Sequence, residues 1–137
     1  MKNLTFKPGC YLAFVLSDRS HNELIKLFPP TFERVLCHHV TIDFQVTKER
    51  LAKLQTLFGD DPSVNVTGIL VGENVECFTV EIDGYRARLD GGYYHITHSL
   101  RPPAKPVDSN KLLVTSLGKP SRTLSGKLSG TFSMVKK

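Results

Sequence analysis

The segment 33–44, with the sequence ERVLCHHVTIDF, is the stretch from which we interpret the rest of the chain. Apolar and polar residues alternate along it, which is typical of a β-strand whose two faces meet different surroundings. The predicted core face holds Leu36, His38, Val40, Ile42 and Phe44. The predicted outward face holds Cys37, His39, Thr41 and Asp43.

A second segment, HITHSL at 95–100, repeats the central pattern of the first. Both segments contain His-Φ-Thr, where Φ is an apolar residue. Because side chains of a strand alternate with a period of two, His39 shares a face with Thr41, and His95 shares a face with Thr97. If the two strands lie near each other, two imidazoles and two hydroxyls line one cleft.

This set of side chains suits the cleavage of a phosphodiester bond. The nucleophile needs a base and the leaving oxygen needs an acid, and two imidazoles with pKa values near about 6.5 can fill both roles. The threonine hydroxyls can donate hydrogen bonds to the non-bridging oxygens in the transition state. This chemistry needs no metal and no cofactor, and we expect neither.

The paired motifs resemble the signature of the two-histidine (2H) phosphoesterase superfamily, which is a pair of H-Φ-[ST]-Φ motifs. The segment 105–110 is similar to the segment that follows the second motif in the cyclic phosphodiesterase domain of fungal and plant tRNA ligases. The resemblance covers most of the chain and implies an α+β fold, with two pseudo-symmetric antiparallel sheets and flanking helices around a central cleft. The spacing of 56 positions between His39 and His95 is compact, and His98 replaces the apolar residue expected after Thr97.

The resemblance also implies a function for each motif residue. His39 and His95 are the implied acid and base, and Thr41 and Thr97 are the implied phosphate-binding residues. The implied substrate is an RNA end with a 2′,3′-cyclic phosphate, which a 2′,3′-cyclic-nucleotide phosphodiesterase hydrolyses to a 2′-phosphate. Two alternatives remain: degradation of 2′-5′ oligoadenylates or cyclic oligonucleotide defence signals, as in some viral and phage 2H proteins, and RNA binding without catalysis.

The net charge of +5 is unevenly distributed along the chain. Residues 1–104 hold 11 Lys and Arg against 12 Asp and Glu, whereas residues 105–137 hold 7 against 1, a net charge of +6. A basic segment of this kind favours an RNA or oligonucleotide substrate, although it also suits a solvated tail. As further contacts we expect Tyr11 to stack on a base and Arg101 or Lys105 to pair with a phosphate.

Other site chemistries are less well supported by the sequence. It contains no P-loop, no GxGxxG motif and no His-Φ-His-Φ-His run. A zinc site needs three or four convergent ligands, for which a set of His39, His95 and Asp43 is the remaining alternative. By the parity of their strands, His38 and His98 are predicted to be core histidines or to support the site from behind, and His21 is predicted to lie on the surface.

The length of 137 residues predicts one domain, 1–137, and we expect a monomer. The three cysteines show no CxxC spacing, and no apolar run is long enough to cross a membrane. A cytoplasmic location follows as the default expectation.

The pattern along the chain predicts the order of the elements. A strand from Cys10 precedes a helix with the sequence SDRSHNELIKLF, and a second helix is capped by Thr47 and ended by Gly59. A hairpin turns at 72–74, a short helix begins at Asp108 or Ser109, and the tail TLSGKLSGTFSMV alternates like one last strand.

Overall fold

Segments that alternate in hydropathy form two sheets, and segments of helical period form three helices. The computed structural model describes residues 1–137. In chain order the elements are β1 (Cys10–Leu16), α1 (Asp18–Leu27), β2 (Arg34–Val35), β3 (His39–Asp43), α2 (Lys48–Phe58), β4 (Val64–Val71), β5 (Val75–Ile82), β6 (His95–Leu100), α3 (Asp108–Thr115), β7 (Arg122–Lys127) and β8 (Gly130–Lys136).

Both sheets are antiparallel throughout. The first sheet has the strand order β3-β1-β8, and the second has the order β2-β6-β5-β4-β7. The predicted α+β class with two antiparallel sheets is therefore confirmed. No helix has the length and apolar character that a membrane span requires.

The two sheets bury their apolar residues in a common core. Leu12, Val40 and Ile42 of the first sheet belong to the same buried cluster as Phe78 and Ile96 of the second, and all five are fully buried. Burial of apolar surface stabilises a fold by about 25 cal/mol per Å². Because β3 and β6 both pack into this core, the packing holds the two motif strands close to each other.

Capping residues begin the first two helices, and the second helix begins and ends at the capping residues that the sequence predicts. Ser17 precedes α1 and accepts a hydrogen bond from the backbone N–H of Ser20. Thr47 does the same for α2, accepting from the N–H of Arg50. Gly59 ends α2 with a φ of +70°, a conformation that suits glycine because it has no Cβ.

One segment passes from the second sheet to the first. The backbone N–H of Cys37 donates to the carbonyl of Thr97 on β6 at 2.9 Å, and from His39 the chain continues as β3 beside β1. At this change of sheet, Cys37 has a φ of +49°. This left-handed conformation costs a residue with a Cβ about 1–2 kcal/mol. The His21 ring bonds to the Cys37 carbonyl at 2.7 Å, so this histidine holds the turn and does not lie free on the surface.

The turn at Cys37 makes part of the predicted alternation wrong. Cys37 is fully buried and His38 is exposed, the reverse of the predicted faces. Phe44 was predicted to be in the core, yet it follows the end of β3 and its side chain is 49% exposed. Only Val40 and Ile42 keep the predicted core positions. A left-handed residue changes the direction of the chain, so the period of two does not extend across it.

The predicted last strand is in fact two strands that belong to different sheets. β7 pairs with β4 in the second sheet, whereas β8 pairs with β1 in the first. Between them, Leu128 enters the core and the backbone N–H of Ser129 donates to Ser20 of α1 at 2.8 Å. The alternation of the sequence is the same on both sides of this crossing, and it therefore contains no sign of the change of partner.

We expect Gly130→Ala to lower the free energy of unfolding by about 1–3 kcal/mol, measured by urea denaturation. A Cβ at Gly130 would overlap the carbonyl oxygen of Val15 in the neighbouring strand, so the backbones of β1 and β8 would have to separate. Gly126→Ala is the matched control, because its Cβ would meet only Val66 Cγ1 at 3.5 Å, an ordinary contact. Equal losses in the two variants would contradict the close approach of β8 to β1.

Candidate active site

The two His-Φ-Thr motifs line one cleft, to which both sheets contribute. His39 and Thr41 extend into it from β3, and His95 and Thr97 extend into it from β6. The cleft has a volume of about 630 Å³, within the usual range for a small-molecule site. The structure thus brings together all four motif side chains.

The alternation of the two strands explains why these four side chains reach the cleft. On β3 the intervening residues Val40 and Ile42 are fully buried, and on β6 Ile96 and His98 are fully buried. Residues of the opposite parity therefore lie on the other face of each strand. Each imidazole is held beside its threonine by a strand that the core fixes in place.

His95 is oriented by a backbone carbonyl. Its Nδ1 lies 2.9 Å from the carbonyl oxygen of Tyr93. Because a carbonyl only accepts hydrogen bonds, Nδ1 of His95 carries the proton and Nε2 is left for a ligand. Burial lowers the pKa of His95; the hydrogen bond to Tyr93 opposes this effect, and the charge of Arg88 adds to it.

His39 is oriented by another side chain. Its Nδ1 lies 3.0 Å from Nδ1 of His38, and its ring centroid is 5.6 Å from that of Tyr11. Burial lowers the pKa of His39 to about 4, and the charges of His38 and His95 contribute in the same direction. In the free protein at neutral pH, His39 is therefore a neutral imidazole.

The first turn of α3 supports the second motif. The Thr97 hydroxyl lies 3.0 Å from the hydroxyl of Ser109, which is fully buried. Pro106, Val107 and Asn110 form the adjoining wall of the cleft. Three residues of the segment 105–110 thus line the cleft, and α3 begins at Asp108 as predicted.

Aromatic rings and lysines form the opposite wall. The rings of Tyr11 and Phe44 are 5.8 Å apart between centroids, and the Lys137 ammonium lies 4.7 Å from the Phe44 centroid. Lys136 also lines the cleft. The other basic residues of the C-terminal quarter do not line it: Lys105, Lys111, Lys119, Arg122 and Lys127. The basic segment therefore contributes two positive charges to the cleft, both at the end of β8.

A buried ion pair connects the two sides of the cleft. Arg88 donates to Asp90 through two hydrogen bonds, of 2.8 and 2.5 Å, and Asp90 accepts a third, of 3.0 Å, from the backbone N–H of Phe44. Arg88 and Asp90 lie in the connection between β5 and β6, whereas Phe44 follows β3. Both charged side chains are mostly buried, at 9% and 13% exposure. The pair therefore attaches the backbone at Phe44 to the connection between β5 and β6.

The predicted additional contacts have different locations. Tyr11 lines the cleft. Arg101 does not: its guanidinium lies over the ring of Phe32, 5.3 Å from the centroid. Lys105 is exposed outside the cleft, and its backbone N–H donates to the Asp108 carboxylate at 2.8 Å. Only one of these three side chains is therefore positioned to contact a ligand in this cleft.

Sequence reasoning missed most of the remaining lining residues. His38 and Phe44 reach the cleft because of the turn at Cys37 and the end of β3, neither of which the alternation reveals. Arg88 comes from an irregular connection. Only the charge of the C-terminal segment could have indicated Lys136 and Lys137.

The alternative metal site of the sequence analysis is not formed. No three His, Cys, Asp or Glu side chains lie together in a metal-binding arrangement. The Asp43 carboxylate is fully buried and accepts two hydrogen bonds from Arg50, of 2.5 and 2.8 Å. It therefore serves the turn between β3 and α2 and does not join the histidines.

His98 has a structural position, as predicted. It is fully buried, and its Nε2 lies 2.7 Å from the carbonyl oxygen of Phe28. Nearby, the buried Glu76 carboxylate accepts hydrogen bonds from Thr31 and from Ser99 of β6. These contacts attach the segment before β2 to the second sheet.

Comparison with known proteins gives one structural likeness. No family model matches the sequence, and no curated protein matches it. Among solved structures, the crystal structure of a fungal RNA kinase superimposes with a TM-score of 0.56 at 17% sequence identity, covering 99% of this chain and 47% of that one. This chain thus spans about half the length of that protein. At this level of identity the likeness shows a shared fold.

We expect inorganic phosphate to raise the pKa of His39 from about 4, because an anion in the cleft favours the charged imidazolium. Proton NMR titration of the His39 ring, assigned with the His39→Ala variant, measures the pKa with and without phosphate. The fully buried His98 lies outside the cleft and is the internal control. A His39 pKa that does not respond to phosphate would contradict anion binding between the motifs.

Proposed function

We propose that this protein is a 2H-type phosphodiesterase that hydrolyses the 2′,3′-cyclic phosphate ends of RNA to 2′-phosphates without a metal. The observation that carries the proposal is the meeting of two imidazoles and two threonine hydroxyls in one cleft. Two strand histidines could meet in a cleft by coincidence, but coincidence does not explain why each has a threonine two residues further along its strand. Hydrolysis of a phosphodiester without a metal can use all four groups at one phosphorus atom, two as acid and base and two as donors to the non-bridging oxygens.

In the proposed reaction, water attacks the phosphorus and the P–O3′ bond breaks. One imidazole accepts a proton from the water, and the other donates a proton to the departing O3′. The products are a 2′-phosphate and a 3′-hydroxyl. The two histidines finish with exchanged protonation states, and exchange with solvent restores them.

The electrostatics of the cleft change when the anionic substrate binds. When the cleft lacks an anion, burial lowers the pKa of both imidazoles, and the charges of His38 and His95 lower that of His39 further. A bound phosphodiester adds a negative charge, which favours protonation of one of the two and so provides the acid. Thr41 and Thr97 are the proposed donors to the non-bridging oxygens, and the hydroxyl of Ser109 orients that of Thr97.

Three observations support RNA as the substrate class. The Tyr11 and Phe44 rings offer apolar surface for a nucleobase, and Lys136 and Lys137 offer charge for phosphates. The solved structure that shares the fold is named an RNA kinase. We do not propose kinase activity, because this chain has no P-loop for a nucleoside triphosphate.

We expect His39→Ala and His95→Ala each to lower kcat on a 2′,3′-cyclic-phosphate-ended RNA by about 10²–10⁴-fold, the usual contribution of acid–base catalysis. The assay contains EDTA. Lys111→Ala is the control, since this exposed lysine lies on α3 outside the cleft and its removal leaves turnover unchanged. Complete loss of activity in EDTA, or full activity of either histidine variant, would overturn the proposed mechanism.

The same assay with a panel of substrates tests the assigned RNA end. The panel contains cyclic-phosphate-ended RNA, 2′-5′ oligoadenylate and cyclic oligonucleotides. The proposal predicts the highest kcat/KM for the first. A higher kcat/KM for 2′-5′ oligoadenylate or cyclic oligonucleotides would instead identify an enzyme that degrades defence signals. Salt-dependent RNA binding with no turnover would identify an RNA-binding module.

A further inference from the structure

The two motif histidines are held at Nδ1 by groups of different chemistry. His95 bonds to the carbonyl of Tyr93, which can only accept. His39 instead faces a second imidazole, with 3.0 Å between its Nδ1 and that of His38. The two rings of this pair are nearly perpendicular, at 78°. His38 is exposed and lines the cleft, whereas a backbone carbonyl neither titrates nor rotates.

A hydrogen bond between two like nitrogens requires one proton between them. If His39 carries that proton, its Nε2 has a lone pair that can accept a proton from water. If His38 carries the proton, the neutral His39 must be protonated at Nε2 and cannot act as a base. If both nitrogens carry protons, the hydrogen bond is lost and the two rings repel each other.

We propose that His38 is a positioning residue that accepts the Nδ1–H of His39, and thereby keeps Nε2 of His39 as the nitrogen that exchanges protons with the substrate. The inference rests on the proposed function. His38 does for the first motif what the carbonyl of Tyr93 does for the second. His39 keeps Nδ1 protonated whether it acts as base or as acid, and the acceptor on His38 serves both states.

The acceptor on His38 is available only while His38 is neutral. Protonation of His38 places a hydrogen on its Nδ1, and the bond can then form only with His39 as the acceptor, which removes the base. The charged or titratable groups that line the same cleft are Tyr11, Arg88, His95, Lys136 and Lys137.

Asparagine at position 38 would keep a hydrogen-bond acceptor without an ionisable ring. The Oδ1 of an asparagine occupies nearly the place of Nδ1 in a histidine, accepts a hydrogen bond and does not titrate. His38→Asn therefore keeps the proposed bond, and His38→Ala removes it. Position 38 is exposed, so both variants are expected to fold.

The first test measures the tautomer of His39 at neutral pH, by NMR correlation of the ring nitrogens with the ring protons. The proposal predicts that Nδ1 carries the proton in the parent and in His38→Asn, and that His38→Ala shifts the proton toward Nε2, which an isolated imidazole prefers in water. An Nε2-protonated His39 in the parent, or the same tautomer in all three proteins, would overturn it. This test needs no catalysis, so it stands even if the phosphodiesterase assay fails.

The second test measures kcat and KM. We expect His38→Ala to lower kcat by about 10–100-fold with little change in KM, the range found for partners that orient metal-bound histidines. His38→Asn should restore most of kcat, because asparagine keeps the hydrogen-bond acceptor. Identical kcat values in the three proteins would overturn the role of His38, even if His39 is shown to be essential.

Discussion

The turn at Cys37 is the constraint on which the candidate site depends. Up to Cys37 the chain is hydrogen-bonded to β6, opposite Thr97 of the second motif, and two residues later it begins β3 with His39 of the first. The two motifs are therefore neighbours because one short segment belongs to both sheets. Cys37 is fully buried and its carbonyl accepts a hydrogen bond from the His21 ring, and both features stabilise a left-handed conformation that a residue with a Cβ otherwise avoids.

Burial is the main determinant of the charge state of the site. It lowers the pKa of both motif imidazoles; the charges of His38 and His95 add to this effect on His39, and the charge of Arg88 adds to it on His95. The free cleft is thus a site of neutral bases with two lysines at its edge, Lys136 and Lys137. An anion brought there favours the charged form of an imidazole, and the proposed acid–base pair needs one of its two imidazoles to be charged. In the proposed function, phosphate binding and protonation of the acid therefore depend on the same electrostatics.

Local signals in the sequence were sufficient for the helices, the hairpin and the paired motifs. The helix α2 begins after Thr47 and ends at Gly59, because the capping interactions of these residues involve only neighbours in the sequence. The period of two likewise places each histidine beside its threonine in the cleft. The turn at Cys37 and the crossing at Leu128 depend on distant partners, so the alternation around them misled the predictions for His38, Phe44 and the last strand. Arg101 and Lys105 follow the second motif closely in sequence, but the chain after β6 leads both side chains away from the cleft.

The proposed function requires that the two motifs bind one phosphate between them. A crystal structure of the protein with a nucleoside 2′-phosphate, the product of the proposed reaction, tests this requirement. We expect phosphate oxygens within about 2.7–3.2 Å of Nε2 of both His39 and His95 and of the hydroxyls of Thr41 and Thr97. A phosphate bound by only one motif, or bound outside the cleft, would contradict it.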